Sequence, residues 1–388
     1  MPEIVLPRRI IFGEDAEEGV VGLLGTLGAR KVLVVTDEVI SRLEKYTQLI
    51  SSLKNAGIEV VEYRSVPPEP PVEIGEEIAQ SAGDHVDVIL AVGGGSVIDA
   101  AKAALVKLHR PDVEIRDVAP FNILGIELSR PILVAVPTTA GTGSDASYGI
   151  VLTVQEGDRH YKMAVGSLEV VPYSSVLDPG FPATAPHRIK VGAAIDVLSH
   201  ALEALSSNNS NVFSDALAEK AAIIVFTDLE KALEGDDEAL SRLHLAATMA
   251  GIAFTNSGLG LAHAIAHSLG GELGIHHGTM VGIVLPRVVE LNMEDPVVAG
   301  KLERLKIILE KAYGLPVKDS IVGHIIELYK RVGQPTGIKE LGVTRDMYND
   351  IVMKMKDEVF HDPEIAYAPI IPDPERLEKI LLDIYEPR

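Results

Sequence analysis

Between Ala29 and Pro137, short β-branched and aliphatic runs alternate with amphipathic stretches of helical period, the pattern of a parallel sheet covered by helices. Strands are expected at Lys31–Thr36, Glu59–Tyr63, Val86–Val92 and Pro131–Val136, with helices around Val39–Ala56 and Val72–Gly83. From Ile150 to Val176 short extended runs mix with turn formers, and Asp178-Pro179-Gly180 is a turn signal that sets a domain boundary. Beyond Pro186 long helical patterns take over, among them Asp215–Leu233, Glu238–Phe254 and Val297–Tyr313. The expected architecture is an α/β domain over residues 1–180 followed by an all-helical domain over residues 181–388. A chain of 388 residues, 47% of them hydrophobic, can fill two cores.

Composition narrows the partners. Lys and Arg number 35 against 56 Asp and Glu, and a net charge of -21 repels polyphosphates, so no nucleic-acid partner is expected. The stretch Met1–Ile11 is interrupted by Arg8 and Arg9 and does not read as a secretion leader. No run of about 18 uncharged apolar residues suggests a membrane span. The expectation is a soluble, cytoplasmic protein. With no cysteine in the chain, metal ligands must come from His and carboxylates.

The strand at Val86–Val92 runs into Gly93-Gly94-Gly95-Ser96 and then a helix start. Backbone N–H groups at a helix N-terminus are unpaired and partially positive, so a diphosphate can approach where glycine leaves no Cβ. The G-x-G-x-x-G spacing itself fails, because Ile98 occupies the last position. A second strand, Ile132–Val136, empties into Pro137–Asp145, again rich in Gly, Thr and Ser. Two such loops at strand carboxyl ends could flank one nucleotide. Asp37, ending another strand, could accept from a ribose and repel a 2′-phosphate, which favours NAD over NADP; it could equally cap the segment that follows.

In the helical half, Asp196 and His200 lie four residues apart on one face of an apolar helix, and His263 and His267 repeat the spacing. His276 and His277 follow. A carboxylate amid alanines and leucines needs a partner, and a divalent metal would satisfy all these groups at once, zinc or ferrous iron suiting such a set. Spacing alone does not say which residues bind. Phe254 reads as plain core.

In these motifs, from Phe12-Gly13 through Gly93–Ser96 with Asp99 and Lys102, the Pro137–Ser144 loop, Asp178-Pro179 and the three histidine segments, the chain resembles the iron-containing (group III) alcohol dehydrogenases. The resemblance implies a Rossmann-like α/β domain plus an all-α domain, the fold shared with dehydroquinate synthase. It implies that Asp196, His200, His263 and His277 bind a divalent metal, iron first and zinc second, and that His267 stays off the metal as a catalytic proton relay. It implies that Gly94, Gly95 and Ser96 hold the cofactor pyrophosphate, that Thr138, Thr139, Thr142 and Ser144 line the rest of a bound NAD or NADP, and that Lys162 lies near the nicotinamide ribose; Asp99 and Asp37 complete the cofactor set. The expected reaction is hydride transfer between NAD(P) and a small primary alcohol, diol or the corresponding aldehyde, by a homodimer. The rival readings are a zinc-dependent polyol or glycerol (phosphate) dehydrogenase and a dehydroquinate-synthase-like lyase. Ala366-Tyr367-Ala368-Pro369 departs from the family's Asn-Pro-Arg segment.

Overall fold

Strands β1 (Arg9–Phe12), β2 (Lys31–Val35), β3 (Glu59–Tyr63), β4 (Val88–Gly93), β5 (Ile132–Pro137), β6 (Gly149–Glu156), β7 (Arg159–Gly166) and β8 (Ser174–Leu177) all belong to the first part of the chain. The computed structural model describes residues 3–388 except 14, 121, 128, 157 and 158, so the first two residues of the N-terminal stretch lie outside the described residues. Among the described residues the chain divides into Met1–Ala185 and Pro186–Arg388. The Asp178-Pro179-Gly180 turn stays with the first unit, because the Asp178 carboxylate accepts from Ala16 N–H at 3.1 Å and from Lys45 Nζ at 2.9 Å.

In the first unit, one sheet has the order β1-β8-β5-β4-β2-β3, every pair parallel, and β6 pairs with β7 as a separate antiparallel hairpin. Alternation of side chains sends Val32, Val34, Leu90 and Val134 to one face, where they pack on α1 (Ala16–Leu27) and α2 (Glu44–Asn55). Leu33, Ile89, Ala91 and Leu133 meet α3 (Ile74–Ser81) and α4 (Gly95–His109) on the other. Strands buried on both faces read as unbroken apolar runs, and each such Val, Leu or Ile contributes about 1.5–3 kcal/mol of burial. The chain leaves β2 for β3 in one direction and then builds β4, β5 and β8 in the other, so the order reverses between β2 and β4. Ligands of open α/β sheets bind beyond the carboxyl ends of strands at that switch point.

After a short α5 (Gly180–Ala183), the second unit is helical among its described residues: α6 (His187–Ser206), α7 (Val212–Leu233), α8 (Asp237–Ser257), α9 (Leu261–Leu273), α10 (His277–Asn292), α11 (Pro296–Ala312), α12 (Ile321–Val332), α13 (Arg345–Met355) and α14 (Pro374–Asp383). Local signals set the starts. Asn211 and Ser214 form a reciprocal capping box on α7, while Asp295 caps α11 ahead of Pro296 and Asp373 caps α14 ahead of Pro374. From Val191 to Ser206 α6 is almost wholly buried, packed by α7, α8 and α10, which is why its polar residues must find internal partners. No single described helix is long and apolar enough to cross a membrane.

Candidate metal centre and glycine junction

In the first unit the expected glycine loop is tighter than its sequence suggests: β4 runs through Gly93, Gly94 is the cap and α4 begins at Gly95. The carboxyl ends of β2 and β4 are tied together by Thr36 Oγ1, which donates to Val92 O at 2.7 Å. Asp37, next in line, uses Oδ1 to accept from the N–H groups of Val39 (2.8 Å) and Ile40 (2.9 Å), the capping alternative raised by its position. It nonetheless stands beside the switch point.

The loop after β5 closes over the junction. Thr138 N–H donates to Gly93 O at 3.0 Å, and a Cβ at Gly94 would lie 3.6 Å from Thr139 Cγ2. A Cβ at Gly95 would come within 2.9 Å of Thr142 Cγ2, so only glycine permits this approach. Gly94, Gly95, Thr138, Thr139 and Thr142 are therefore brought together, with Ser96 on the first turn of α4. Asp99 and Ser144 face inward instead. Asp99 accepts from the Ser144 hydroxyl, from Lys102 Nζ at 3.3 Å and from Val151 N–H at 3.0 Å. Lys162 stands on β7 opposite Thr153, its ammonium 3.1 Å from the Glu69 carboxylate.

In the second unit the helix spacing works as geometry. Asp196 Oδ1 lies 3.8 Å from His200 Nε2, 3.7 Å from His263 Nε2 and 3.5 Å from His277 Nε2. These separations are too long for good hydrogen bonds, and Asp196 Oδ1 and His263 Nε2 are buried with no hydrogen-bond partner. Ligand atoms of Asp196, His263 and His277 lie within 4.8 Å of one another; His200 approaches the same carboxylate from outside that set. His277 arrives at the start of α10 because Gly278 crosses α6 backbone to backbone: a Cβ there would sit 2.1 Å from Gly192 O. An anionic oxygen ringed by imidazole nitrogens, with orphaned atoms turned inward, is a donor set that fits a divalent cation.

The electrostatics of Asp196 and His200 agree with that fit. Burial would raise the Asp196 pKa, but His200, His277 and His263 hold it below the usual carboxylate range. Burial lowers His200 to about 4 against the pull of Asp196, which keeps its ring neutral, as a ligand must be. For His263, burial is outweighed by Glu203 and the value rises to about 10, so without a cation the ring holds a second proton, which metal binding would displace.

Several contacts at the site have no counterpart in the sequence reading. Glu203 accepts from His263 Nδ1 and, at 2.7 Å, from Ala262 N–H; it lies on α6 in line with Asp196 and His200, so its helix position was the available signal. Asp362 accepts from His267 Nδ1 at 2.8 Å while capping the 3₁₀ segment Pro363–Tyr367; its Asp-Pro signal marks the cap and not the histidine partner. The His267 ring stacks on His277 with centroids 5.3 Å apart. Phe254, expected as plain core, is only partly buried and packs on the His200 ring at 4.7 Å.

A family model described as iron-containing alcohol dehydrogenase matches residues 7–179, and one described as the C-terminal part of the Fe-containing alcohol dehydrogenase family matches residues 190–385. An alcohol dehydrogenase of Thermococcus barophilus is 31% identical over 384 residues, 97% of each chain. An NADPH-dependent butanol dehydrogenase of Clostridium saccharobutylicum is 30% identical, covering 99% of this chain and 98% of the relative. Among solved structures, an iron-containing alcohol dehydrogenase from Thermococcus thioreducens superimposes with a TM-score of 0.87 at 31% identity over 99% of both chains.

Proposed function

The chain belongs to the iron-containing alcohol dehydrogenase family and is an NAD(P)-dependent alcohol dehydrogenase, and on that premise we propose that Asp196, His200, His263 and His277 hold its divalent cation, while the β4–α4 junction holds the cofactor diphosphate. The observation that carries the proposal is the buried, unbonded Asp196 Oδ1 with histidine Nε2 atoms 3.5–3.8 Å away.

When bound, the cation supplies the Lewis acidity that eases loss of an alcohol's proton, and the nicotinamide takes or returns the hydride. The protein's own groups orient and tune. Glu203 keeps the His263 proton on Nδ1, leaving Nε2 directed at Asp196. Asp362 does the same for His267, whose Nε2 is then free to receive the substrate's hydroxyl proton and pass it on, the role assigned to His267 here. The unpaired N–H groups of Gly94, Gly95 and Ser96 bind diphosphate oxygens, with the Thr138, Thr139 and Thr142 hydroxyls alongside. Asp99 and Ser144 support that loop from behind, and Lys162 is assigned to the ribose side of the same cofactor. Asp37, fixed by two backbone N–H groups, prefers a ribose 2′-hydroxyl to a 2′-phosphate and so NAD to NADP.

The substrates proposed are short primary alcohols and diols with their aldehydes; the working form is a homodimer in the cytoplasm, where the NAD(P) pool lies. The exposed Leu6 and Phe12 beside edge strand β1 support a paired edge. Metal-reconstituted protein assayed with 1-propanol, 1-butanol and 1,3-propanediol should reduce NAD faster than NADP, and Asp37→Gly should narrow that preference. Bound metal without net cofactor reduction in either direction would overturn the reading and favour a lyase.

A further inference from the structure

Lys102 is fully buried, yet it lies two turns down α4 from the glycine junction. At 1.5 Å per residue, seven positions place its Cα about 10 Å along the axis from Gly95, and its ammonium is committed to protein partners. Nζ donates to Gly149 O at 2.7 Å and to Ser144 Oγ at 2.8 Å, faces Asp99 Oδ1 at 3.3 Å and lies 3.4 Å from Ser147 Oγ. Those partners sit on different pieces of chain: Asp99 on α4, Ser144 and Ser147 in the loop after β5, and Gly149 at the start of β6. The loop so held is the one that sets Thr139 and Thr142 against Gly94 and Gly95.

We infer that Lys102 is a positioning residue for cofactor binding: by fastening the 138–147 loop to α4, it sets the gap between the Thr139 and Thr142 side chains and the backbone N–H groups that receive the diphosphate. A buried ammonium costs desolvation, and apolar side chains in place of the whole Lys102–Asp99 pair could be accommodated with little loss of fold stability. A cradle whose spacing must match a diphosphate gives a reason for four fixed polar partners where packing alone would suffice. The inference rests on reading the β4–α4 junction as the diphosphate site.

The test compares Lys102→Met with wild type, both metal-loaded, using ADP-ribose and NADH as calorimetric probes. ADP-ribose carries the diphosphate without the nicotinamide, so both probes should lose affinity by the same factor, roughly tenfold, the change that about 1.4 kcal/mol makes in a dissociation constant. At saturating cofactor, kcat and the KM for alcohol should stay within about twofold of wild type. A merely structural role predicts the opposite, a lower kcat from a smaller active fraction with unchanged Kd. Unchanged Kd for both probes in folded Lys102→Met overturns the inference while leaving the diphosphate site standing. Wild-type protein that binds neither probe overturns the site reading and the inference with it. Should the lone Asp99 carboxylate prevent Lys102→Met from folding, Lys102→Met/Asp99→Asn buries no unpaired charge and carries the Kd comparison alone, read against Asp99→Asn so that the change owed to Lys102 is isolated.

Discussion

Glu203→Gln should weaken metal binding without dismantling the fold. The wild-type carboxylate accepts two N–H groups, His263 Nδ1 through one oxygen and Ala262 N–H at 2.7 Å through the other, and both side chains are at most 2% exposed. An amide has only one acceptor oxygen. If it serves Ala262, an NH₂ faces His263 Nδ1 and drives the ring proton to Nε2, the nitrogen that would present a lone pair to the cation beside Asp196. If it turns to His263, a buried Ala262 N–H is left unpaired, at about 1–3 kcal/mol. That penalty favours the first orientation, so the expected loss is 10- to 100-fold in metal affinity, about 1.4 to 2.7 kcal/mol. Competitive zinc titration against a chromophoric chelator reads this directly, with circular dichroism to confirm folding. A folded Glu203→Gln protein whose zinc Kd lies within about twofold of wild type, a difference far below the expected decade, would refute the reasoning.

Other perturbations separate the two sites. Gly95→Ala places a Cβ 2.9 Å from Thr142 Cγ2, so NADH affinity should fall about tenfold or more while zinc affinity stays at the wild-type value; equal loss of both would show general unfolding instead. Asp362→Ala frees His267 Nδ1 and should lower kcat about tenfold with the cofactor KM unchanged, as initial-rate kinetics will report. Asp87 lies below the ordinary carboxylate range, at about 2, chiefly because it accepts from Arg30 N–H, helped by Lys31 N–H, His85 and Arg130. A depressed folded value means stabilisation present in full above the unfolded value and lost as pH falls toward 2. Asp87→Asn should therefore lower Tm at neutral pH, with the gap to wild type closing in acid; a gap that persists unchanged at pH about 2 contradicts the assignment.

Much of this was legible because the physics was local. β2, β4 and β5 are buried on both faces and so wrote themselves as apolar runs, and β3 matched its expected ends. β1 and β8 did not. Arg9–Phe12 is a partly exposed edge of four residues, and β8 begins with two serines that are wholly buried because Ser174 Oγ donates to Arg9 O and Ser175 Oγ to Asp145, contacts that join distant parts of the chain. The i, i+4 spacing announced Asp196 with His200 and His263 with His267, yet only the crossing of α6 and α10 brings His277 to the same oxygen. Glu203 was visible as an acid on that helix but its partner was not, and Asp362 lies 95 residues from His267, beyond any periodicity. Helical spacing does not announce that Phe254 lies half-buried with its ring tilted against His200. Asp99 and Ser144 carried the right motif, but the buried Lys102 draws both inward.

The most direct test of the central claim measures metal content and turnover on the same samples: protein stripped with chelator, refilled anaerobically with graded ferrous iron, and assayed for NAD(P)H formation from a short primary alcohol. Activity should rise in proportion to bound iron up to one ion per chain, and Asp196→Ala should hold neither iron nor activity. Full turnover in metal-free protein, or stoichiometric iron retained by Asp196→Ala, would contradict it.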